Sequence, residues 1–519
     1  MKLIFSVFVF LLCLYSFGQF PNIVINSDHE PNEPTIFIDP TNTNRMVAGS
    51  NLNLFYFSDD GGYTWTTTIL ESALYGVWGD PCVIIDTAGH IYFFHLSNPD
   101  VGNWIDRIVC QKSEDNGLNW TMGTYMGLNG TKAQDKEWAV VDRNNNNMYV
   151  TWTQFDEYGS SNPTDSSIIR FSKSTDGGLN WSPAMRINKW AGDCIDSDET
   201  VEGAVPAVGP NGEIYVSWSG PMGIRFNRST DEGDTWLAEE IFVSDQPEGW
   251  NQQIPGIYRC NGFPVTMCDI SGGPHHGTIY INWTDQRNGT DDTDVWLSKS
   301  TDGGDTWSAP IRVNNDPPGK HQFFTWMTVD QVTGYLYFVF YDRRNDTLNL
   351  NETEVFLAVS NDGGITFENY LISESSFIPN PALFFGDYTN ISAHNDVVRP
   401  IWLRMHNSER SIITAIVNGS ELSTNDFYSS IPVQPEQNYP NPFYDHTWLA
   451  FKVERPAMVT VKVTDMFGRE ITRLYDNELL QPGRYIEHFD AGRFNLSPGV
   501  YFFKIISEKK TFSKKMVLL

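Results

Sequence analysis

An eight-residue box, Ser-x-Asp-x-Gly-x-(Thr/Asn)-(Trp/Phe), recurs six times and constrains this chain more than any other feature. It runs Ser58 to Trp65, Ser113 to Trp120, Ser174 to Trp181, Ser229 to Trp236, Ser300 to Trp307 and Ser360 to Phe367, with starts 55, 61, 55, 71 and 60 residues apart. A near-constant period of this length marks a repeat architecture. Upstream of the third box lie the alternating or apolar runs Trp138-Ala-Val-Val-Asp142, Met148-Tyr-Val-Thr-Trp-Thr153 and Ile168-Ile-Arg-Phe-Ser-Lys-Ser174, and downstream lies Ala184-Met-Arg-Ile187. Four such runs per period predict an all-β propeller, with strands A to D in each blade and the box in the C–D hairpin. Glycine at the fifth box position supplies positive φ, and the Ser and Asp side chains bond turn amides. The closing aromatic packs between sheets. Turn chemistry therefore accounts for the six box aspartates without a catalytic or metal role.

The number of blades follows from both ends of the repeat region. After the sixth box, Tyr388 to Ala393, Val397 to Leu403 and Ser411 to Val417 read as strands A, B and C of a further blade that has no box. Near the other end, Pro21-Asn-Ile-Val-Ile-Asn26 resembles the D strands Pro183 to Asn188 and Pro310 to Asn314. An N-terminal strand that completes the last blade removes an open sheet edge. Seven blades are expected, with six as the alternative.

Composition sets the compartment and excludes partners. Sixty-four acids against 35 bases give a net charge of −29, which opposes binding to nucleic acid. Aromatics make up 14% of the chain, too many for a disordered acidic protein. Met1-Lys2 precedes an apolar run from Leu3 to Phe17, which is too short for a membrane span and reads as a signal peptide over residues 1–18. The mature protein is then exported, with no transmembrane segment. Export permits disulfides; Cys260 and Cys268 flank one short segment, Cys82 and Cys110 fall in one blade, and Cys194 is left odd.

The boxes resemble the Asp-boxes, or bacterial neuraminidase repeats, of the sialidase superfamily, over roughly residues 20–420. Sialidases of this type use an Arg-Ile-Pro motif in the first blade, an arginine triad that grips the substrate carboxylate and a Tyr–Glu nucleophile pair. This chain has Asn32-Glu-Pro-Thr-Ile36 at the first-blade position, and Arg-Ile-Pro occurs nowhere in it. A linker over 421–435 leads to a second resemblance, over 436–519. Asn438-Tyr-Pro-Asn-Pro-Phe443, Val461-Lys-Val-Thr-Asp465, Phe467-Gly-Arg-Glu-Ile471, Leu496-Ser-Pro-Gly-Val-Tyr-Phe-Phe503 and Lys514-Lys-Met-Val-Leu-Leu519 resemble the type A sorting domain of the Bacteroidetes type IX secretion system. That resemblance implies recognition by the outer-membrane translocon, then release or surface attachment. Alternating polarity with Pro-Gly and Phe-Gly turns fits a small antiparallel β-sandwich.

Strand direction alternates within a blade, so the D–A and B–C connections share one face, opposite the boxes. Sialidase-type sites use that face. The D–A connections carry Glu33, Asp80, Asp135 with Glu137, Glu202 and Asp387, while Asn261 and Gln322 stand at the other two; the B–C loops add Asp285-Gln-Arg287 and Tyr341-Asp-Arg-Arg344. Asp342, Asp387, Glu202 and Tyr388 are candidate catalytic residues. Arg287, Arg343, Arg344, Asp80, Asp135 and Glu137 are candidates for contact with substrate. A funnel of carboxylates, amides and aromatics suits an extracellular glycan or glycoprotein, and paired carboxyls also serve glycoside hydrolysis. The expected function is glycan or surface-ligand binding, with an exo-glycosidase of the exo-α-sialidase type as the alternative. The bland reading is that these acids are solvated or bond strand-start amides. No cofactor is expected; Asp291, Asp292 and Asp294, or Asp193, Asp196, Asp198 and Glu199, crowd loops that could take Ca²⁺ without matching an EF-hand.

Overall fold

The computed structural model describes residues 20–406, 408–422, 433–435, 438–453, 456–466, 468–507 and 510–519. The signal segment 1–18 and residues 423–432 of the linker lie outside the described residues. The chain divides into two compact units, one ending at Gly419 and the other starting at Ser420.

The first unit is a propeller of seven antiparallel blades. The A strands are Thr35–Ile38, Cys82–Ile85, Ala133–Val141, Glu202–Val208, Val265–Cys268, Gln322–Val329 and Asn390–His394. In the third blade Ala133–Val141 is followed by Met148–Phe155, Ser167–Ser174 and Met185–Arg186, the four runs expected from its sequence. The seventh blade takes its outer strand from the other end of the chain. Asn22–Asn26 pairs antiparallel with Glu409–Ala415, so the ring closes without an open edge at that blade.

The boxes hold the blades together. In each, the serine hydroxyl donates to the aspartate and accepts the fifth-position amide, as in Ser300 Oγ to Asp302 Oδ1 at 2.7 Å and Gly304 N to Ser300 Oγ at 2.8 Å. The same aspartate accepts from the Thr306 amide at 2.9 Å. Gly304 has φ of +94°, and a Cβ there would stand 2.3 Å from Phe226 of the preceding blade. Only glycine allows both that conformation and that approach. The box indoles then seat edge-on against phenylalanines of the preceding blade: Trp120 on Phe55, Trp236 on Phe171 and Trp307 on Phe226, with ring centroids 4.9–5.0 Å apart. Apolar clusters such as Val47, Phe55, Val83, Ile85 and Phe93 fill the space between neighbouring blades.

The A strands of all seven blades surround a central channel of about 160 Å³, lined by Ile36, Val83, Val140, Val208, Met267, Val329 and Ile391 among others. The second unit has two antiparallel sheets, one of three strands and one of four. Leu449, Phe451, Val459, Val461, Val463, Phe503 and Ile505 are buried in its core. Its Asn438 is buried and donates to Thr447 Oγ1 at 3.0 Å, while Phe443 N donates to Val517 O at 2.9 Å. The first motif of this unit is thereby tied to its last strand.

Candidate functional site

The face opposite the boxes is built from strained strand starts. Glu33, Asp80, Lys136 and Phe324 adopt left-handed conformations with φ between 49° and 55°, and Gly203 has φ of 77°. In blades three, four and six the A–B register slips there, between Asp135 and Trp138, Glu202 and Val205, and Phe323 and Trp326. A bulge of this kind re-aims the flanking side chains. Left-handed backbone at four non-glycine residues costs on the order of 1 kcal/mol or more each, and such strain gathers at functional sites.

These bulges gather an acidic funnel around two cations. Lys136 Nζ lies 2.6 Å from Asp387 Oδ2 and 3.1 Å from Asp80 Oδ2. Arg259 Nε donates to Asp387 Oδ1 at 2.8 Å, and its Nη1 lies 3.5 Å from Asp196 Oδ2. The Asp387 amide donates to Glu33 Oε1 at 3.1 Å, the Asp80 amide donates to Asn51 Oδ1 at 2.7 Å, and Asn51 Nδ2 donates to Glu33. Asn261 Nδ2 donates to the Asp387 carbonyl at 2.8 Å. Glu137 and Glu202 are each 1% exposed, and neither oxygen of either carboxyl receives a hydrogen bond. A buried carboxylate left without donors is costly, which favours the neutral form of both side chains.

Burial and charge split the carboxyls into two classes. Burial lifts the Glu202 carboxyl well above the usual range, with the neighbouring Asp196 and Asp135 adding to it. Glu137 is raised by burial and by Asp80, and Glu33 by burial and by Asp80. Asp135 is pushed up to about 7 by burial, against the pull of Lys136. Burial acts on Asp387 in the same direction, but Lys136 and Arg259 outweigh it and hold that carboxylate ionised. For Lys136 burial is outweighed in turn by Asp387, Asp80, Asp135 and Glu33, which keep the ammonium charged.

A cavity of about 240 Å³ opens among Lys136, Asp196, Glu202, Trp250, Asn251, Gln253, Arg259, Asn261 and Asp387. Beneath it Trp138 and Trp326 approach to 4.3 Å between ring centroids, with Tyr388 at 5.0 Å from Trp138. The two indoles also line the apolar channel, so these rings form the floor between funnel and channel. The Tyr388 hydroxyl is buried without a hydrogen-bond partner, and burial raises its pKa.

The structure thus brings together Asp80, Asp135, Glu137, Glu202, Asp387 and Tyr388. It places the other sequence candidates elsewhere. Asp342 is fully buried and accepts from Arg344 Nε at 2.8 Å, and Arg344 lies 4.1 Å over Phe356. Blade five repeats that arrangement, with Arg287 Nε donating to Asp285 at 2.8 Å and the guanidinium 4.6 Å over Trp296. Arg343 donates to Thr353 Oγ1 at 3.1 Å and to the Pro255 carbonyl at 2.6 Å, bracing the connection that carries Arg259. Gln322 bonds Asp316 and Asp342 rather than the funnel.

The expected Cys260–Cys268 disulfide is absent: both are free buried thiols, as are Cys82, Cys110 and Cys194. Burial raises the thiol pKa of Cys82 to about 12 and that of Cys260 well above its usual value. Among the described residues no three His, Cys, Asp or Glu side chains are grouped to hold a metal ion. Asp294 instead pairs with Arg312 and Asn314, and Asp198 accepts from the Asn251 amide.

Lys136, Arg259 and Asn51 are not among the site residues expected from the sequence, and Asp196, expected only as a possible Ca²⁺ ligand, stands instead beside Arg259 and Tyr158. Lys136 is the one base in Asp135-Lys-Glu137, a local signal. Arg259 lies in the D–A connection that stretches one box interval to 71 residues, and a long connection on a tight repeat is itself a pointer to function.

The comparisons bear mainly on the second unit. Residues 437–519 match the family model described as "Secretion system C-terminal sorting domain". The second unit is a sorting domain. It marks the chain as cargo of the type IX secretion system, recognised by that translocon and delivered outside the cell or to its outer surface. Among the described residues no helix is long and apolar enough to cross a membrane. No curated protein matches the chain. Solved structures similar to it include a Hadza microbial sialidase, at 13% identity over 72% of this chain and 74% of that one, TM-score 0.41. The α-L-arabinofuranosidase of Fusarium graminearum is 12% identical over 78% and 99%, TM-score 0.45. An ulvan lyase, solved with bound saccharide, is 13% identical over 76% and 96%, TM-score 0.46. Likeness at this level assigns no ligand to this chain.

Proposed function

We propose that the propeller is a secreted glycan-binding module whose ligand is a neutral sugar seated in the funnel cavity. The observation that carries this reading is the pairing of an open 240 Å³ cavity with Glu202, a buried carboxyl on its wall that makes no hydrogen bond. Sugar hydroxyls supply donors and acceptors without charge, and Asn251, Gln253 and Asn261 offer amides around the same space. The charge balance disfavours an acidic sugar. Lys136 is paired with Asp387 and Asp80, and Arg259 with Asp387 and Asp196, so both cations of the cavity are already matched by carboxylates. A glycan array followed by calorimetry tests the reading; binding only to sialylated or uronic-acid glycans, or to none, would refute it.

A second reading, hydrolysis, has one specific observation in its favour. Two carboxyls of the same cavity are shifted in opposite directions, Glu202 upward by burial and Asp387 downward by Lys136 and Arg259 against its burial, which is how acid and base roles are divided in glycosidases. Release of nitrophenol from neutral aryl-glycosides, abolished in Glu202→Gln, would promote this reading over simple binding.

A further inference from the structure

We propose that the solvent face of the three-stranded sheet in the sorting domain, built around Tyr439, Trp448 and His488, is the surface that docks the chain on an apolar groove of the secretion translocon. This docking is independent of any ligand in the funnel. Strands His446–Val453 and Gly483–Asp490 run antiparallel, with Trp448 opposite His488 and Ala450 opposite Ile486. Side chains directly opposite in such a pair share one face, and residues two apart along a strand share it too. Tyr439 extends the row on the other side of Trp448. Its amide donates to the Trp448 carbonyl at 3.1 Å, and the Trp448 amide donates back to the Tyr439 carbonyl at 2.9 Å. Thr447, Leu449, Phe451 and Phe489 alternate with these residues and are buried beneath them.

The row is exposed and yet fixed. Tyr439 is 79% exposed, Trp448 47% and Ile486 48%. The His488 ring meets the Trp448 indole at 4.8 Å between centroids and stacks on His446 at 5.4 Å. Both neighbours of Tyr439 are pinned: Asn438 donates to Thr447 Oγ1 at 3.0 Å, and Thr447 Oγ1 donates to the Pro440 carbonyl at 2.7 Å. Contiguous apolar surface left in water marks an interaction site. Trp and Tyr held in place lose little freedom on docking and often dominate protein interfaces. The occupant follows from the unit that carries the row. Residues 437–519 are a sorting domain, which works by being recognised by the translocon, and Tyr439 lies in its first motif. The outer face of the four-stranded sheet differs: Met458 and Leu479 are exposed there in register, but Lys462 and Lys504 stand opposite each other on the same face.

The test follows the full chain in cells that carry the type IX system, as the ratio of chain outside the cell to chain retained. Trp448→Ala should lower that ratio by about tenfold or more, and Tyr439→Ala should act in the same direction. Trp448→Phe, which keeps a ring, should retain most of the export, and Leu479→Ala, on the other sheet, should leave it unchanged. Unfolding of each purified variant is measured alongside, and Trp448→Lys, compatible with a solvated strand position, replaces an alanine variant that melts early. The purified chain should also sediment with outer-membrane vesicles that contain the translocon and not with vesicles that lack it, and Trp448→Ala should abolish this. Export indifferent to Trp448→Ala, or lowered equally by Leu479→Ala, would overturn the proposal. Equal sedimentation with both kinds of vesicle would make the face a lipid contact, and loss of self-association with export intact would make it a contact between copies; either result refutes translocon docking. Glycan affinity should be the same in every variant, so failure here leaves the funnel reading standing.

Discussion

The two faces of the propeller use carboxylates in opposite ways. On the box face one arrangement is repeated six times, and every aspartate is satisfied within its own turn. Thr306 and Ser300 hold the Asp302 carboxylate down at about 2, and Asp231 is held at about 2 by Thr235 and Ser229 in the same manner. On the funnel face no two strand starts carry the same set of side chains, the backbone is strained, and Glu137 and Glu202 lack donors. Repetition with full satisfaction indicates structure; departure from the repeat with unmet hydrogen-bonding capacity indicates a site. The Asp285–Arg287 and Asp342–Arg344 pairs fit this rule. They recur in two blades and are internally satisfied, so they belong with the boxes.

The largest expected effect is on stability at the centre of the funnel. Lys136→Met leaves Asp80 without its cation and Asp387 dependent on Arg259 alone, and should destabilise the propeller by about 3–5 kcal/mol in chemical denaturation. Loss below about 1 kcal/mol would show that the funnel is wet and loosely coupled. A smaller effect is expected at a box: Asp302→Ala removes a turn acceptor and should cost about 1 kcal/mol, with ligand affinity unchanged.

A subtler contrast lies in pH. Glu202, Glu137 and Asp135 have raised folded-state values, so their contribution to stability is complete below the unfolded value near 4 and is lost as pH rises, through about 7 for Asp135. Asp387 has the opposite sign, contributing above about 4 and losing its effect as pH falls. Thermal stability should therefore decline from about pH 5 to about pH 8, and Asp135→Asn or Glu202→Gln should flatten that slope. A slope unchanged in both variants would mean that these carboxyls are ionised and solvated.

Legibility in the sequence tracked repetition. Box spacing located the blades, the box-free seventh blade and the closing strand Asn22–Asn26, because each reuses the same local physics. The face and six of its acids, Glu33, Asp80, Asp135, Glu137, Glu202 and Asp387, were also legible, since strand A starts can be counted from the boxes. Which charges meet was not. The Lys136–Asp387 pair joins residues 251 positions apart, and Arg259 arrives on a connection with no counterpart in the other blades. Asp342 looked like a member of the funnel because it ends a B strand, yet the pleat turns it outward to Arg344. Alternation within a strand cannot distinguish these outcomes once a bulge has shifted the register.

The claim that the funnel and not the box face holds the ligand is tested most directly by one paired measurement. Affinity for a neutral oligosaccharide and melting temperature are measured together for Glu202→Ala and Asp302→Ala. The account predicts that Glu202→Ala loses at least about tenfold in affinity with its melting temperature held or raised, because an unpaired buried carboxyl is removed. Asp302→Ala should keep its affinity and melt earlier. The reverse pattern, with binding lost at the box and stability lost at Glu202, would contradict it.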